Sequence, residues 1–253
     1  PGAHEIKQPP GAAQQVLRVC RKRNYSVTEL TQLIGKDPAL SQALLRHANS
    51  AWYTSRMAAK VLSINAAVQR IGTQGVHATV MAHVIGGELS RPGPGLDKMV
   101  QVVWKHMVRT APIARAFARA FKVDPDGIYT LALLHDAGKL VLFDRISEQR
   151  KKARRDLKLS DEFVAACLRT LHEPLGALAA LQWGIDAGPA SAIASHHRSS
   201  PDEPNPEAEV LFLAERVDLV NETGSEMDLE SWWLQARLSG DQSLVSNILD
   251  QGI

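Results

Sequence analysis

Aromatic side chains are scarce in this chain, with Phe, Trp and Tyr making up 5% of its 253 residues. That leaves no stacking platform for single-stranded nucleic acid. An excess of one charge is lacking too. The net charge of +2 is too small by itself to imply a nucleic-acid or membrane partner. Cys20 and Cys167 are the only cysteines and share no motif, which fits free thiols in a reducing compartment better than a disulfide framework. No apolar run approaches the roughly 20 residues of a membrane span, and no signal-peptide pattern opens the chain. A cytoplasmic protein is expected, with neither a membrane nor a nucleic-acid partner. The first residue is Pro1 and not Met, so the true start is expected to lie upstream. In the N-terminal half nothing alternates with period two for long enough to be a strand.

What is present is helical. Hydrophobic residues at 45% and charged residues at 22% give an ordinary globular balance, in a chain long enough to bury a core. Ser26-Val-Thr-Glu29 is a capping box opening a helix with Leu30, Leu33 and Ile34 inward, stopped by Gly35. Asp37-Pro38 restarts helix as N-cap and N1, with Leu40, Leu44, Leu45 and Ala48 on one face. Asn49-Ser50 marks its stop. Ser63 caps a third helix ending near Gly72, and a fourth spans about Gly75 to Ile85.

Arg91-Pro-Gly-Pro-Gly95 is the clearest breaker. It sets the expected boundary, with the seam near Gly93, between an N-terminal helical subdomain, 1–95, and a helical bundle with a C-terminal extension, 96–253. A long helix is expected over about Asp97–Phe121, then one from Asp124-Pro125 that delivers His135 and Asp136. A basic helix, Ser147–Lys158, follows, then one from Ser160 towards His172. Short helices around Pro174–Trp183 and Pro189–His197 come next, and a last clear one over about Glu207–Asn221. Trp232 and Trp233 are adjacent, a spacing that one helix face does not explain. The fold class is all-α.

The segment LALLHDAGKLVL, Leu131 to Leu142, is apolar except for His135, Asp136 and Lys139. Nine histidines are present, and five lie from residue 106 onward: His106, His135, His172, His196 and His197. Any one of them alone would ordinarily be a hydrogen-bonded core residue. Five on apolar helical segments, one beside an Asp, share a reason if they converge on a divalent metal. Neutral imidazole and carboxylate suit iron, manganese, zinc or nickel, and a bundle core lets ligands meet from separate helices. Neighbouring helical residues point about 100° apart, so His135 and Asp136 can reach one metal from two sides or two metals. In a binuclear site the Asp bridges and a bridging water gains acidity, which is the chemistry of phosphate-ester hydrolysis.

An ordered series of segments carries a family resemblance. These are DPALSQALLRHANSAWY (Asp37–Tyr53), INAAVQRIG (Ile64–Gly72), WKHMVRTAPIARAFA (Trp104–Ala118), LLHDAGKLVL (Leu133–Leu142), HEPLGALAALQWGI (His172–Ile185) and AIASHH (Ala192–His197). Over about residues 10–200 the chain resembles the HDOD family, a bacterial signalling branch of the HD superfamily of metal-dependent phosphohydrolases. The resemblance implies that His106, His135, Asp136, His172, His196 and His197 are metal positions. The superfamily's downstream Asp falls here at Ala214-Glu215, making Glu215 the implied closing ligand with an arm one methylene longer; Asp218 lies one turn further on. No GYP signature follows the HD motif, which disfavours the cyclic-dinucleotide phosphodiesterase branch. Val102 and Val103 offer no carboxylate for an additional metal.

Two functions follow from that resemblance. One is a regulatory module that binds a signalling protein through its N-terminal helical half, or a nucleotide or phosphate ligand. The alternative is a metal-dependent phosphohydrolase acting on a nucleotide or cyclic dinucleotide, with Lys139 orienting the scissile phosphate. In a non-enzyme Lys139 pairs with an acidic neighbour. The basic run Arg145, Arg150, Lys151, Lys152, Arg154, Arg155 and Lys158 reads first as a solvated helix face, and second as a phosphate or acidic-partner contact.

Overall fold

In the computed structural model the described residues are 9, 11–22, 24–53, 60–89, 96–152, 160–197 and 204–252. Every regular element among them is helical, as the sequence pattern requires. The chain divides into two compact units, residues 7–88 and residues 89–253 together with 1–6. The expected seam near Gly93 lies outside the described residues.

The first unit holds α1 (Gly11–Cys20), α2 (Val27–Gly35), α3 (Pro38–Ala48) and α4 (Ile64–Val84). Its helix starts are where the caps put them. The Ser26 hydroxyl accepts from Glu29 N–H, the Asp37 carboxylate from Ala39 and Leu40 N–H, and Ser63 from Ala66 N–H. Each such cap is worth about 1 kcal/mol. Gly72 interrupts α4 at φ 64°, ψ −175°, a left-handed value that glycine adopts freely, and so separates the two expected helices. Leu17, Leu30, Ile34, Leu40, Leu44 and Met81 form the buried centre of this unit. Asn49 does more than stop a helix. Its amide donates to the carbonyls of Leu45 and Val61 and accepts from Val61 N–H, tying the end of α3 to residue 61.

The second unit contains α5 (Asp97–Phe121), α6 (Pro125–Leu134), α7 (Ala137–Lys152), α8 (Asp161–Gln182), α9 (Ala187–Ala194), α10 (Pro206–Thr223), α11 (Leu229–Ala236) and α12 (Gln242–Asp250). α5 packs on α6 and α10, α7 on α8, and α8 on α9, around Phe117, Phe143, Trp183 and Met107. α5 has the expected bounds. Two expectations are corrected. The helix from Ser160 does not stop near His172 but runs on through Pro174 to Gln182. A proline inside a helix removes one N–H and kinks rather than ends it when packing holds both sides, and α8 packs against both α7 and α9. Likewise, the first part of the expected basic helix is the C-terminal end of α7, whose apolar start carries the helix onward to Lys152. Arg154, Arg155 and Lys158 lie outside the described residues. The tail forms α11 and α12, where Trp233 packs against Phe121 with ring centroids 5.7 Å apart.

Gly138 sets the distance between α7 and α8. A Cβ built on it would sit 1.9 Å from the His172 carbonyl oxygen and 2.6 Å from Gly176 N. Only glycine at this position lets the turn carrying Asp136 lie directly against the turn carrying His172. No helix among the described residues is long and apolar enough to cross a membrane.

Candidate metal centre

His135 caps the end of α6 and Asp136 occupies the break before α7, so both project from a corner rather than from a continuous helix. His106 comes from α5, His172 from α8, His196 and His197 from the turn after α9, and Glu215 from α10. All seven side chains meet in the second unit. The ligand-capable atoms of His106, His135, Asp136 and Glu215 lie within 4.8 Å of one another, as do those of His172, His196 and His197. Two carboxylates connect the groups. Asp136 Oδ2 is 3.7 Å from His135 Nε2, and its Oδ1 is 3.9 Å from His172 Nε2. Glu215 Oε1 is 3.1 Å from His135 Nε2 and 3.9 Å from His196 Nε2, while its Oε2 is 3.2 Å from His197 Nδ1.

The backbone sets the tautomers. His135 Nδ1 is 2.7 Å from Ala132 O, His172 Nδ1 is 2.6 Å from Leu168 O, and His196 Nδ1 is 2.7 Å from Ile193 O. A carbonyl only accepts, so each Nδ1 carries the hydrogen. In the neutral ring each Nε2 is then left with a lone pair. All three lone pairs face the cluster, the form in which imidazole ligates.

The outer two histidines complete a proton inventory. His197 Nε2 is 3.0 Å from His172 Nε2 while its Nδ1 faces Glu215. His106 Nε2 is 3.2 Å from His135 Nε2 while its Nδ1 is 2.7 Å from Asp218 Oδ2. Each outer ring therefore meets an acceptor at both nitrogens, which a neutral imidazole, with one hydrogen, does not satisfy. Added protons, or a divalent cation, supply the missing positive charge.

The electrostatics agree. The His197 pKa is raised by its hydrogen bond to Glu215 against the opposing effect of burial. Burial works against protonated His106, but its bonds to Glu215 and Asp218 prevail and its pKa rises. Burial pushes His196 down to about 3 and also lowers His172. Burial opposes ionisation of Asp136 and Glu215, yet the electrostatic pull of their neighbours, the nearby His135 first, holds both below the usual carboxylate range.

Two buried atoms test whether a cation fits. Asp136 Oδ1 and His196 Nε2 have no hydrogen-bond partner among the described residues. Leaving such an acceptor unmet costs about 1–3 kcal/mol, more when it is charged. Each belongs to a group of ligand-capable side chains whose atoms lie within 4.8 Å of one another, where a cation would satisfy it. The donor set of imidazole nitrogens and carboxylates fits a divalent metal.

Supporting residues surround the cluster, of which the sequence named only Asp218 and gave it no role. Asp218 stands outside it and accepts from His106 Nδ1, from Arg109 Nε at 2.8 Å and from Arg109 Nη2 at 3.0 Å. Arg109 also donates to Glu222. The available signal was spacing, since Arg109 follows His106, and Asp218 follows Glu215, by three positions on a helix. Lys139 Nζ lies 2.5 Å from Asp136 Oδ2, the acidic-neighbour pairing. A cleft of about 540 Å³ opens on the His172–His197 side, lined also by Lys139, Arg169, Thr170 and Glu173. None of the described members of the basic run lines it.

A helical bundle around a His/Asp/Glu cluster defines the class of HD-type folds. The HDOD domain model matches residues 6–199, and the chain belongs to the HDOD family. That match spans His106 to His197 but ends before Glu215 and Asp218. An uncharacterized protein of Treponema pallidum (strain Nichols) is 25% identical over 212 residues, 80% of this chain. The chain spans only 40% of that relative's length. A Shewanella amazonensis structure assigned as a metal-dependent phosphohydrolase is similar at TM-score 0.74 and 16% identity, over 95% of this chain and 86% of that one. A Marinobacter aquaeolei VT8 structure assigned as a signal transduction protein is similar at TM-score 0.64 and 24% identity, over 98% of this chain and 56% of that one. These likenesses establish the shared fold.

Proposed function

We propose that this chain is a signal-transduction module whose cluster holds a divalent metal and which acts by binding rather than by turnover. The observation that carries the metal is the pair of buried, unpartnered atoms, Asp136 Oδ1 and His196 Nε2. Its ligands would come from among His106, His135, Asp136, His172, His196, His197 and Glu215, with iron, manganese, zinc or nickel as the candidates. When bound, the metal supplies Lewis acidity to a phosphate oxygen.

The binding role draws support from Lys139. Its ammonium already engages Asp136 Oδ2, so one oxygen of the carboxylate that a two-metal hydrolase uses as a bridge is taken. Glu215 reaches four histidines through its longer arm, an arrangement that satisfies buried polar groups without fixing a nucleophile. The membership in a signalling family points the same way. The N-terminal unit is the proposed surface for a signalling protein.

One observation favours the second role, a phosphohydrolase acting on a nucleotide or cyclic dinucleotide. The cleft of about 540 Å³ places Lys139 and Arg169 beside His172 and His197, and that volume suits a nucleotide-sized ligand. The two roles separate in one assay. Purified protein is supplied with manganese, iron or nickel and offered a generic phosphodiester, nucleotides and cyclic dinucleotides. Binding without turnover is the expected result. Turnover abolished by both His135→Ala and Asp136→Ala, with helical content intact, would overturn it.

A further inference from the structure

Charge is distributed unevenly along this nearly neutral chain. Residues 7–88, the first unit, carry ten Lys and Arg against three Asp and Glu, although the whole chain has 29 against 27. Residues 204–252 show the opposite bias, ten acidic against two basic. Each region also presents apolar surface to solvent. In the first unit a groove of about 550 Å³ has Leu45, Val61 and Leu62 in its lining, with Arg46 and Lys60 among them. Leu62 is 79% exposed. In the second unit, Glu230 and Leu234 share one face of α11 at i,i+4 spacing, just after Glu226 and Met227. Leu234 is 80% exposed, and Met227 is exposed as well.

A lone exposed leucine is unremarkable on a protein surface. Here each lies beside uncompensated charge. Arg46 hydrogen-bonds only the neutral amide of Gln42, and no carboxylate pairs with Lys60 among the described residues. No described cation pairs with Glu226 or Glu230. One surface is a basic apolar concavity and the other an acidic apolar helix face, so the chain carries both halves of a complementary contact.

We propose that the chain self-associates head to tail, the groove at Arg46 and Lys60 in one copy taking the Glu226–Leu234 face of a second copy. The inference rests on the proposed partner-binding role of the N-terminal unit and names the partner. Such a contact is heterologous, joining different surfaces on the two copies, so it builds rings or open chains rather than a two-fold dimer. A contact that rests on a few exposed charges and apolar side chains is weak and sensitive to salt.

The test is sedimentation velocity on the intact chain from about 1 to about 100 μM, the range in which weak contacts of this kind populate. The result expected is a concentration-dependent rise in mass that diminishes with added salt. The double variants Arg46→Glu/Lys60→Glu and Glu226→Lys/Glu230→Lys are each expected to weaken association about tenfold or more. An equimolar mixture of the two is expected to regain it, because each reversed groove now matches the other variant's reversed face. All four positions are exposed and outside the cluster, so helical content and bound metal should match the parent. A monomer across the whole range overturns the proposal, as does association that survives both reversals or a mixture that fails to regain it. If the chain stays monomeric while Arg46→Glu/Lys60→Glu abolishes binding to a labelled duplex DNA, the groove belongs to nucleic acid and the proposal fails. If instead that variant loses a different acidic protein, self-association fails while the partner-binding role of the unit stands.

Discussion

Replacing Gly138 by alanine tests the corner that brings Asp136 to His172. The added Cβ would lie 1.9 Å from His172 O, 2.8 Å from His172 C and 2.6 Å from Gly176 N. All three are backbone atoms, so no side chain can swing aside. Restoring ordinary contact, at about 3.4 Å, requires the two backbones to part by about 1.5 Å. Overpacking of this kind costs about 1–3 kcal/mol or more. For a chain of this size each kcal/mol lowers Tm by about 2–4 °C. The expected drop is therefore about 2–12 °C by thermal circular dichroism. Metal retention should suffer further, because ligand positions tolerate only about 0.2 Å. Gly188→Ala is the control. Nothing lies within 4 Å of a Cβ built at Gly188, and alanine favours helix, so Tm should hold or rise slightly. A Gly138→Ala protein with parental Tm and parental metal content would refute the close approach of α7 and α8.

Three further outcomes follow from the same geometry. Asp218→Asn removes the charged acceptor that orients His106, and should lower metal affinity about 10–100-fold in a chelator competition with helical content unchanged; unchanged affinity would remove Asp218 from the supporting shell. His106 and His197, both held above their ordinary values, should carry protons that an entering metal displaces near neutral pH and below. Calorimetry in buffers of different ionisation heat should show proton release per metal rising, and affinity falling about tenfold per pH unit for each proton displaced, as pH drops from about 8 to about 6; flat proton release would contradict the inventory. Asn49→Ala should free residue 61 from the end of α3, losing three hydrogen bonds and about 1–3 kcal/mol by chemical denaturation, with bound metal unchanged.

The parts of this molecule that were legible beforehand are those that local chemistry decides. Ser26, Asp37 and Ser63 announce helix starts because each short polar side chain meets an N–H two or three residues away. Gly72 announces a break because the left-handed conformation there suits glycine alone. His106, His135, His172, His196, His197 and Asp136 stood out because polar groups are rare inside apolar helices, and Glu215 through the family resemblance alone; the structure gathers these seven in one unit. Long-range facts were hidden. Pro174 reads as a helix end until packing on both sides carries α8 past it. Gly138 gives no sign in one dimension that another backbone crosses above it. The carbonyls of Ala132, Leu168 and Ile193, which set three imidazole tautomers, belong to residues whose side chains say nothing about that role. Asp218, one turn beyond Glu215, gave no sign that it would accept from His106 Nδ1 and Arg109 instead of entering the cluster.

The most direct test of the central claim is elemental analysis of the chain purified without added metal, beside His135→Ala and Asp136→Ala prepared identically. About one equivalent of a divalent transition metal per parent chain is expected, as a set of imidazole and carboxylate donors should retain, and its loss from both variants with helical content preserved. A parent chain that carries no metal, and takes up none on titration with manganese, iron, zinc or nickel, would contradict it.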